Sequence, residues 1–131
     1  MKKLLIIAAV IATISGCATT GNIEAKRAEF NSTIPTCKTD RECELKWSAA
    51  RNWVLNNSGW KIQHLTNDFI ETYNAVGGSP RIAVRVTKEP IAEGGYRFVV
   101  KTWCDNIFGC VPDSWDAAIS FNREVGAVRG F

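Results

Sequence analysis

The N-terminal segment decides in which compartment this chain folds, and therefore which chemistry can hold the fold together. Lys2 and Lys3 are followed by an apolar run from Leu4 to Ile14, which is interrupted only by Thr13. A transmembrane helix needs about 20 apolar residues, whereas the apolar region of a secretory signal peptide spans about 7–15. The eleven residues of this run therefore predict an exported chain that folds in an oxidising environment.

The end of the run carries a second signal. Its last residues, Ile14-Ser15-Gly16-Cys17, resemble the lipobox of bacterial lipoproteins: an aliphatic residue, Ser or Ala, Gly or Ala, then Cys. The resemblance implies that residues 1–16 are a signal peptide, and that Cys17 receives a diacylglycerol and a further acyl chain on its new amino group. The alternative is an ordinary secreted protein in which Cys17 is coincidental.

A lipidated Cys17 would make the membrane the first partner of this chain. Three acyl chains give stable anchoring, whereas one myristoyl chain binds only marginally. In lipoproteins of the enterobacterial type, an Asp after the Cys favours retention at the inner membrane. Ala18 occupies that position, which implies a place at the periplasmic face of the outer membrane.

The mature chain would be small and nearly neutral. Removal of residues 1–16 leaves 131 − 16 = 115 residues and reduces the 16 basic residues to 14, against 13 acidic ones. A net charge near +1 gives no electrostatic basis for nucleic-acid binding. This length suits one domain, which we place at residues 37–131, after an acylated Cys and tether at residues 17–36 that contains a short helix candidate from Asn22 to Phe30.

Four further cysteines predict disulfides in an exported chain. Cys37 and Cys43 are six residues apart, as are Cys104 and Cys110. This repeated spacing favours two local bridges, and the chain-entropy model assigns roughly 2.4 kcal/mol to each loop of seven residues. A pairing that crosses between the two regions stays open. The spacing does not match zinc knuckles, so we expect no metal and no cofactor.

The remaining pattern predicts an α+β domain. Thr39 and Glu42 form a capping box before a helix whose apolar stripe runs from Cys43 to Val54. Gly59 is suited to a left-handed helix cap. Four strand candidates follow, at residues 60–65, 69–76, 81–87 and 96–103. A second helix begins at Asp113 or Ser114, and its apolar stripe is formed by Ala118, Phe121, Val125 and Val128. Short connections favour antiparallel neighbours. The expected fold is a four-stranded antiparallel sheet with two helices on one face, in the order α-β-β-β-β-α.

No catalytic constellation is evident in the sequence. His64, the only histidine, lies in a strand candidate, and no Ser is surrounded by a Gly-rich elbow. The cysteines are assigned to bridges and to the lipid anchor, which leaves no thiolate nucleophile. We therefore predict a protein without enzymatic activity and without catalytic residues.

One local feature points to binding. Ile107 and Phe108 lie between Cys104 and Cys110, and a bridged loop presents side chains at low entropic cost. Trp103 alternates onto the less apolar side of the last strand, where exposed apolar area often marks a contact site. The alternative is that Ile107 and Phe108 fold back over the end of the sheet as part of the core.

Together these observations predict a lipid-anchored, protein-binding or structural module that contacts another envelope protein. Two alternatives stay open. The chain is an inhibitor or immunity protein against a toxin or cell-wall hydrolase, or it is a small-ligand carrier or an enzyme with a pocket around His64.

Overall fold

The computed structural model describes residues 18–130, with side chains described from Gly21 onward. The predicted signal peptide and the predicted acylation site, Cys17, lie outside these residues. The helices and strands follow in the order α1 (Ala18–Ser32), β1 (Thr36–Cys37), α2 (Asp40–Asn57), β2 (Ile62–Leu65), β3 (Phe69–Thr72), β4 (Ala83–Pro90), β5 (Tyr96–Trp103) and α3 (Ser114–Ala127). None of the helices described here is both long and apolar enough to cross a membrane.

The sheet has five antiparallel strands in the order β1-β5-β4-β3-β2. The α+β class and the antiparallel pairing are confirmed, but the predicted count of four strands is wrong. The additional strand, β1, has two residues and pairs Thr36 with Arg97 and Cys37 with Tyr96. Two residues carry no detectable alternation, so hydrophobic periodicity could not identify this strand.

The structure has three helices, whereas the fold predicted from the sequence has two. Helix α1 occupies most of residues 17–36, the segment predicted as acylated Cys and tether, and it packs against α3. Its Phe30 ring meets the Trp115 ring edge-on at 5.7 Å. The Phe30 carbonyl accepts a hydrogen bond from Asn122 Nδ2 at 3.0 Å. These contacts with α3 stabilise a helix whose own sequence has only a weak apolar stripe.

Helices α2 and α3 cover one face of the sheet. That face carries Val84 and Val86 of β4 together with Phe98 and Val100 of β5, and all four are buried. The helices add Trp53 and Phe121, whose rings meet edge-on at 5.4 Å, and Val54, Ala118 and Val125 belong to the same cluster. The opposite face of the sheet has no helix over it in the described part of the chain.

The prediction for the N-terminal end of α2 is confirmed, and the prediction for its C-terminal end is wrong. Thr39 is the N-cap, as predicted, and its hydroxyl accepts a hydrogen bond from the Glu42 amide at 3.2 Å. The left-handed cap expected at Gly59 is wrong, because the helix ends at Ser58 in extended conformation. Gly59 is instead required for close packing, since a Cβ there would lie 2.5 Å from the Arg81 Cβ.

Candidate functional site

The two disulfides join Cys37 to Cys43 and Cys104 to Cys110. This is the local pairing that the repeated spacing favours. The bridge between Cys37 and Cys43 lies in the core and ties β1 to the first turn of α2. The bridge between Cys104 and Cys110 closes a surface loop, residues 105–109, between β5 and α3.

This loop is fixed to the connection between β3 and β4 by hydrogen bonds. Asp105 Oδ2 accepts from the Gly78 amide at 2.9 Å, and Asn106 Nδ2 donates to the Gly78 carbonyl at 2.7 Å. Asn106 Oδ1 accepts from the Phe108 amide at 2.9 Å, which fixes the turn from inside. Gly78 itself adopts φ +70°, a conformation that favours glycine. The disulfide and these bonds give the loop a defined shape before it meets any partner.

The apolar side chains of the loop point into solvent. Ile107 and Phe108 are each 93% exposed, and we call these two residues the loop tip. This exposure excludes the alternative that Ile107 and Phe108 form part of the core. Two large adjacent apolar side chains held in water by a rigid loop are unfavourable for an isolated domain, so their exposure favours a contact function.

Trp103 lies in a different place, on the open face of the sheet. It lines a groove of about 550 Å³ whose other walls come from Gln63, Glu71, Thr72, Asn74, Arg85 and Lys101. The indole Nε1 of Trp103 donates to Asn74 Oδ1 at 2.7 Å, which fixes the ring. Ile107 and Phe108 do not line this groove, so the structure separates the three predicted contact residues into two surfaces.

Charged residues surround the Trp103 ring. The Arg85 guanidinium carbon lies 5.8 Å from the ring centroid, and Lys101 Nζ lies 5.9 Å from it. Arg85 is held in place by Glu71, since its Nε lies 2.6 Å from Glu71 Oε2. These cations can bind a carboxylate, and the half-buried ring beneath them can contact an apolar or planar side chain.

The row of residues through this groove has an excess positive charge. Glu71, Arg85 and Lys101 are cross-strand neighbours on β3, β4 and β5. Arg85 and Lys101 therefore stand directly opposite each other, an arrangement of like charges that destabilises a sheet. Glu71 neutralises only one of them. Lys101 is exposed and has no carboxylate within 4.0 Å among the described residues.

The alternation of the last strand predicted Trp103 on the open face, but nothing in the sequence indicated Asn74. Asn74 follows β3 in an irregular segment, and no periodic pattern marks a residue of that kind. Tyr73 and Val76, in the same segment, line an adjoining groove of about 760 Å³ with Trp60 and Arg81. This second groove shares Gln63 and Asn74 with the first, so the two form one continuous surface.

The geometry around His64 offers no additional support for an enzyme. His64 is exposed on the edge strand β2, where it pairs in register with Glu71 of β3. Within residues 18–130, no group of three or more His, Cys, Asp or Glu side chains is placed to hold a metal ion.

The pKa values of Asp113 and Lys26 are displaced from their ordinary values. Partial burial opposes ionisation of Asp113, but hydrogen bonds from the Asp116 amide and from Lys26 outweigh it and lower its pKa. The hydrogen bond to Asp116 raises the pKa of Lys26. Both groups lie where α1 meets the N-terminus of α3, so they are explained by helix packing.

Comparisons with protein-family models, with curated proteins and with solved structures give no match to this chain. Its function must therefore be argued from its own residues.

Proposed function

We propose that this chain is a non-enzymatic envelope lipoprotein. It would be anchored through acyl chains on Cys17 and would bind a protein partner at the periplasmic face of the outer membrane. The anchor is supported by the resemblance of residues 14–17 to a lipobox. The two disulfides are consistent with an oxidising compartment.

The partner surface in this proposal is the open sheet face around Trp103. The observation that carries the proposal is the row formed by Glu71, Arg85 and Lys101, in which two cations face each other and the one carboxylate pairs with Arg85 only. A fold gains nothing from this arrangement, whereas a partner that supplies a second carboxylate would relieve it. Trp103 adds a fixed aromatic ring, a residue type enriched in the centres of protein interfaces.

The chemistry of the partner follows from these groups. A carboxylate of the partner would lie against Lys101, and an apolar or planar side chain would stack on Trp103. Arg85 is already paired with Glu71. It therefore adds positive electrostatic potential beside Trp103 and does not form a new ion pair with the partner. We therefore propose an envelope protein that presents an acidic side chain beside an apolar one.

Photocrosslinking in intact cells tests this proposal. A benzoylphenylalanine placed at Gln63, an exposed residue that lines the groove with Lys101 and Trp103, reports contacts of the open face and leaves both of those residues in place. The same group placed at Arg51, an exposed residue on α2, is the matched control on the helical side of the domain. We expect one dominant protein adduct from position 63 and none from position 51. Combining the probe at position 63 with Lys101→Ala or Trp103→Ala should reduce its yield.

Other outcomes decide against the proposal. Equal adducts from both positions, or none from position 63, would contradict a partner site on the open face. Identification of the captured protein as a toxin or a cell-wall hydrolase would instead favour the inhibitor or immunity alternative.

A further inference from the structure

Helix α1 runs parallel to α3 and extends past its N-terminal end. Lys26 Nζ lies 2.8 Å from the Asp116 carboxylate, in the first turn of α3. One turn later in α1, Phe30 accepts a hydrogen bond from Asn122, further along α3. The contacts advance in the same direction along both helices, so the helices are parallel. At a rise of 1.5 Å per residue, Ala18 lies about 12 Å before Lys26 along the axis of α1. Because the helices are parallel, this places Ala18 beyond the N-terminal end of α3.

The loop tip is at this same end of the molecule. Cys110 precedes Ser114, the first residue of α3, by four positions. An extended chain spans at most about 3.6 Å per residue, so Cys110 lies within about 14 Å of the N-terminus of α3. Helix α1 therefore begins at the end of the domain where Ile107 and Phe108 are exposed.

Exposed apolar side chains are distributed unevenly between the two ends of the sheet. Beside the loop tip, Val111 is 71% exposed and Val76, in the connection that holds the loop, is 58% exposed. The opposite end has Leu65 and Tyr96, and both are less exposed than Val111, Val76 and the two residues of the loop tip. The apolar surface is thus concentrated at the end of the domain where α1 begins.

We propose that Ile107 and Phe108 insert into the lipid leaflet that holds the acyl chains of Cys17. This inference rests on the proposed lipid anchor and names lipid as the partner of the loop tip. Lipid fits better than protein because the tip presents apolar side chains only. The Asn106 amide and one carboxylate oxygen of the exposed Asp105 are engaged by Gly78 and the loop backbone. Interfacial amphipathic helices bury their apolar face about 5–10 Å into the boundary between headgroups and acyl chains, and the two side chains of the loop tip need no greater depth.

Insertion would give the domain a second attachment point and thus a fixed orientation. With acyl chains at the start of α1 and the loop tip in the same leaflet, α1 and α3 would stand steeply on the membrane. The open sheet face would then point sideways, where a neighbouring envelope protein can reach Lys101 and Trp103.

Tryptophan fluorescence of the full mature protein in vesicles tests the insertion. The Phe108→Trp protein is compared with the Tyr96→Trp protein, which replaces an exposed aromatic residue at the opposite end of the sheet. Both retain the five native tryptophans, so each spectrum is measured against the unaltered protein. The vesicles contain phosphatidylethanolamine and phosphatidylglycerol, with or without bromine atoms on the acyl chains. Mass spectrometry of the same samples reports acylation of Cys17.

We expect the added emission of the Phe108→Trp protein to shift to shorter wavelength and to be mostly quenched by the brominated lipids. The added emission of the Tyr96→Trp protein should do neither. If Cys17 is acylated and the Phe108→Trp emission is not quenched, insertion is overturned while the lipoprotein proposal stands. If Cys17 is unmodified, the lipoprotein proposal fails and this inference fails with it. A benzoylphenylalanine at position 108 that gives a protein adduct in cells would also overturn lipid as the partner.

Discussion

At the scale of single residues, Phe108 and Phe121 occupy opposite environments. Phe121 is fully buried against Trp53, whereas Phe108 is 93% exposed. The position of Phe121 followed from the apolar stripe of its helix. Phe108 lies in a loop, where no periodicity indicates which side of the chain is covered, so the sequence left its role open between core and contact. The hydrogen bonds of Asn106 hold the loop in the conformation that exposes Phe108. One of them is made to Gly78, in a turn 28 residues away along the chain.

These two phenylalanines give a matched pair for mutation. Phe121→Ala should lower the free energy of unfolding by about 3–5 kcal/mol, the usual cost of truncating a buried Phe. Phe108→Ala should change it by no more than about 0.5 kcal/mol, as expected for a surface substitution. Urea denaturation of both variants measures the difference. A large loss of stability in Phe108→Ala would contradict the exposed position of the loop tip.

At the scale of helices and strands, the sequence predicted long strands better than short ones. The eight residues of β5 alternate clearly, and the strand spans the predicted range. Strand β1 has two residues and was missed. The sequence predicted only a short helix from Asn22 to Phe30 within α1, because the contacts that stabilise the full helix come from α3, about 90 positions away along the chain. Tertiary contacts of this kind leave no pattern in the local sequence.

The N-terminus of α3 gives a prediction for its cap. Asp113 accepts hydrogen bonds from the amides of Trp115 and Asp116, both at 3.1 Å. Asp113→Ala should therefore cost about 1 kcal/mol. Asp113→Asn keeps a capping side chain and loses only the charge that faces Lys26 and the helix dipole, a loss of about 0.3–1 kcal/mol. Thermal or urea unfolding at neutral pH checks both values.

The same residue predicts a pH dependence. The pKa of Asp113 is lowered in the folded state from its ordinary value of 3.8. Its ionised form therefore contributes stability above that value, and the contribution is lost as the pH falls through the lowered pKa. The stability difference between the unaltered protein and Asp113→Asn should shrink on acidification below about pH 4. A difference that stays constant or grows in acid would contradict the contacts assigned to Asp113.

The two bridges should differ in their contribution to stability. Replacing Cys104 and Cys110 by Ser should cost at most about 2.4 kcal/mol, because that bridge closes a short surface loop. Replacing Cys37 and Cys43 by Ser should cost more, since both sulfurs belong to the core cluster and two hydroxyl groups would be buried there. Urea denaturation of the two double variants measures the order, and a reversed order would contradict the core position of the first bridge.

At the scale of the whole molecule, the sequence predicted the parts of the candidate site but not their arrangement. Strand alternation predicted that Trp103 faces away from the core, and the cysteine spacing predicted a closed loop. The separation of the loop tip from the Trp103 groove arises from the packing of the loop on Gly78. Neither the spacing of residues nor their composition contains that information.

The anchor predicts how the intact chain is processed. Cys17→Ser removes the thiol to which the diacylglycerol would be attached, so the precursor should stay uncut by the lipoprotein peptidase and should not incorporate labelled palmitate. The matched control is Ala18→Ser, which alters the next residue and leaves the thiol in place. Palmitate labelling and gel mobility check both variants. Full acylation of the Cys17→Ser protein would contradict the anchor.

Localisation, partner access and membrane insertion of the loop all depend on one claim, that the mature chain begins at an acylated Cys17. The intact mass of the protein isolated from membranes tests that claim most directly. We predict the mass of residues 17–131, with two disulfides, a diacylglyceryl group and one further acyl chain. A mass that retains residues 1–16, or one that corresponds to an unmodified Cys17, would contradict the account.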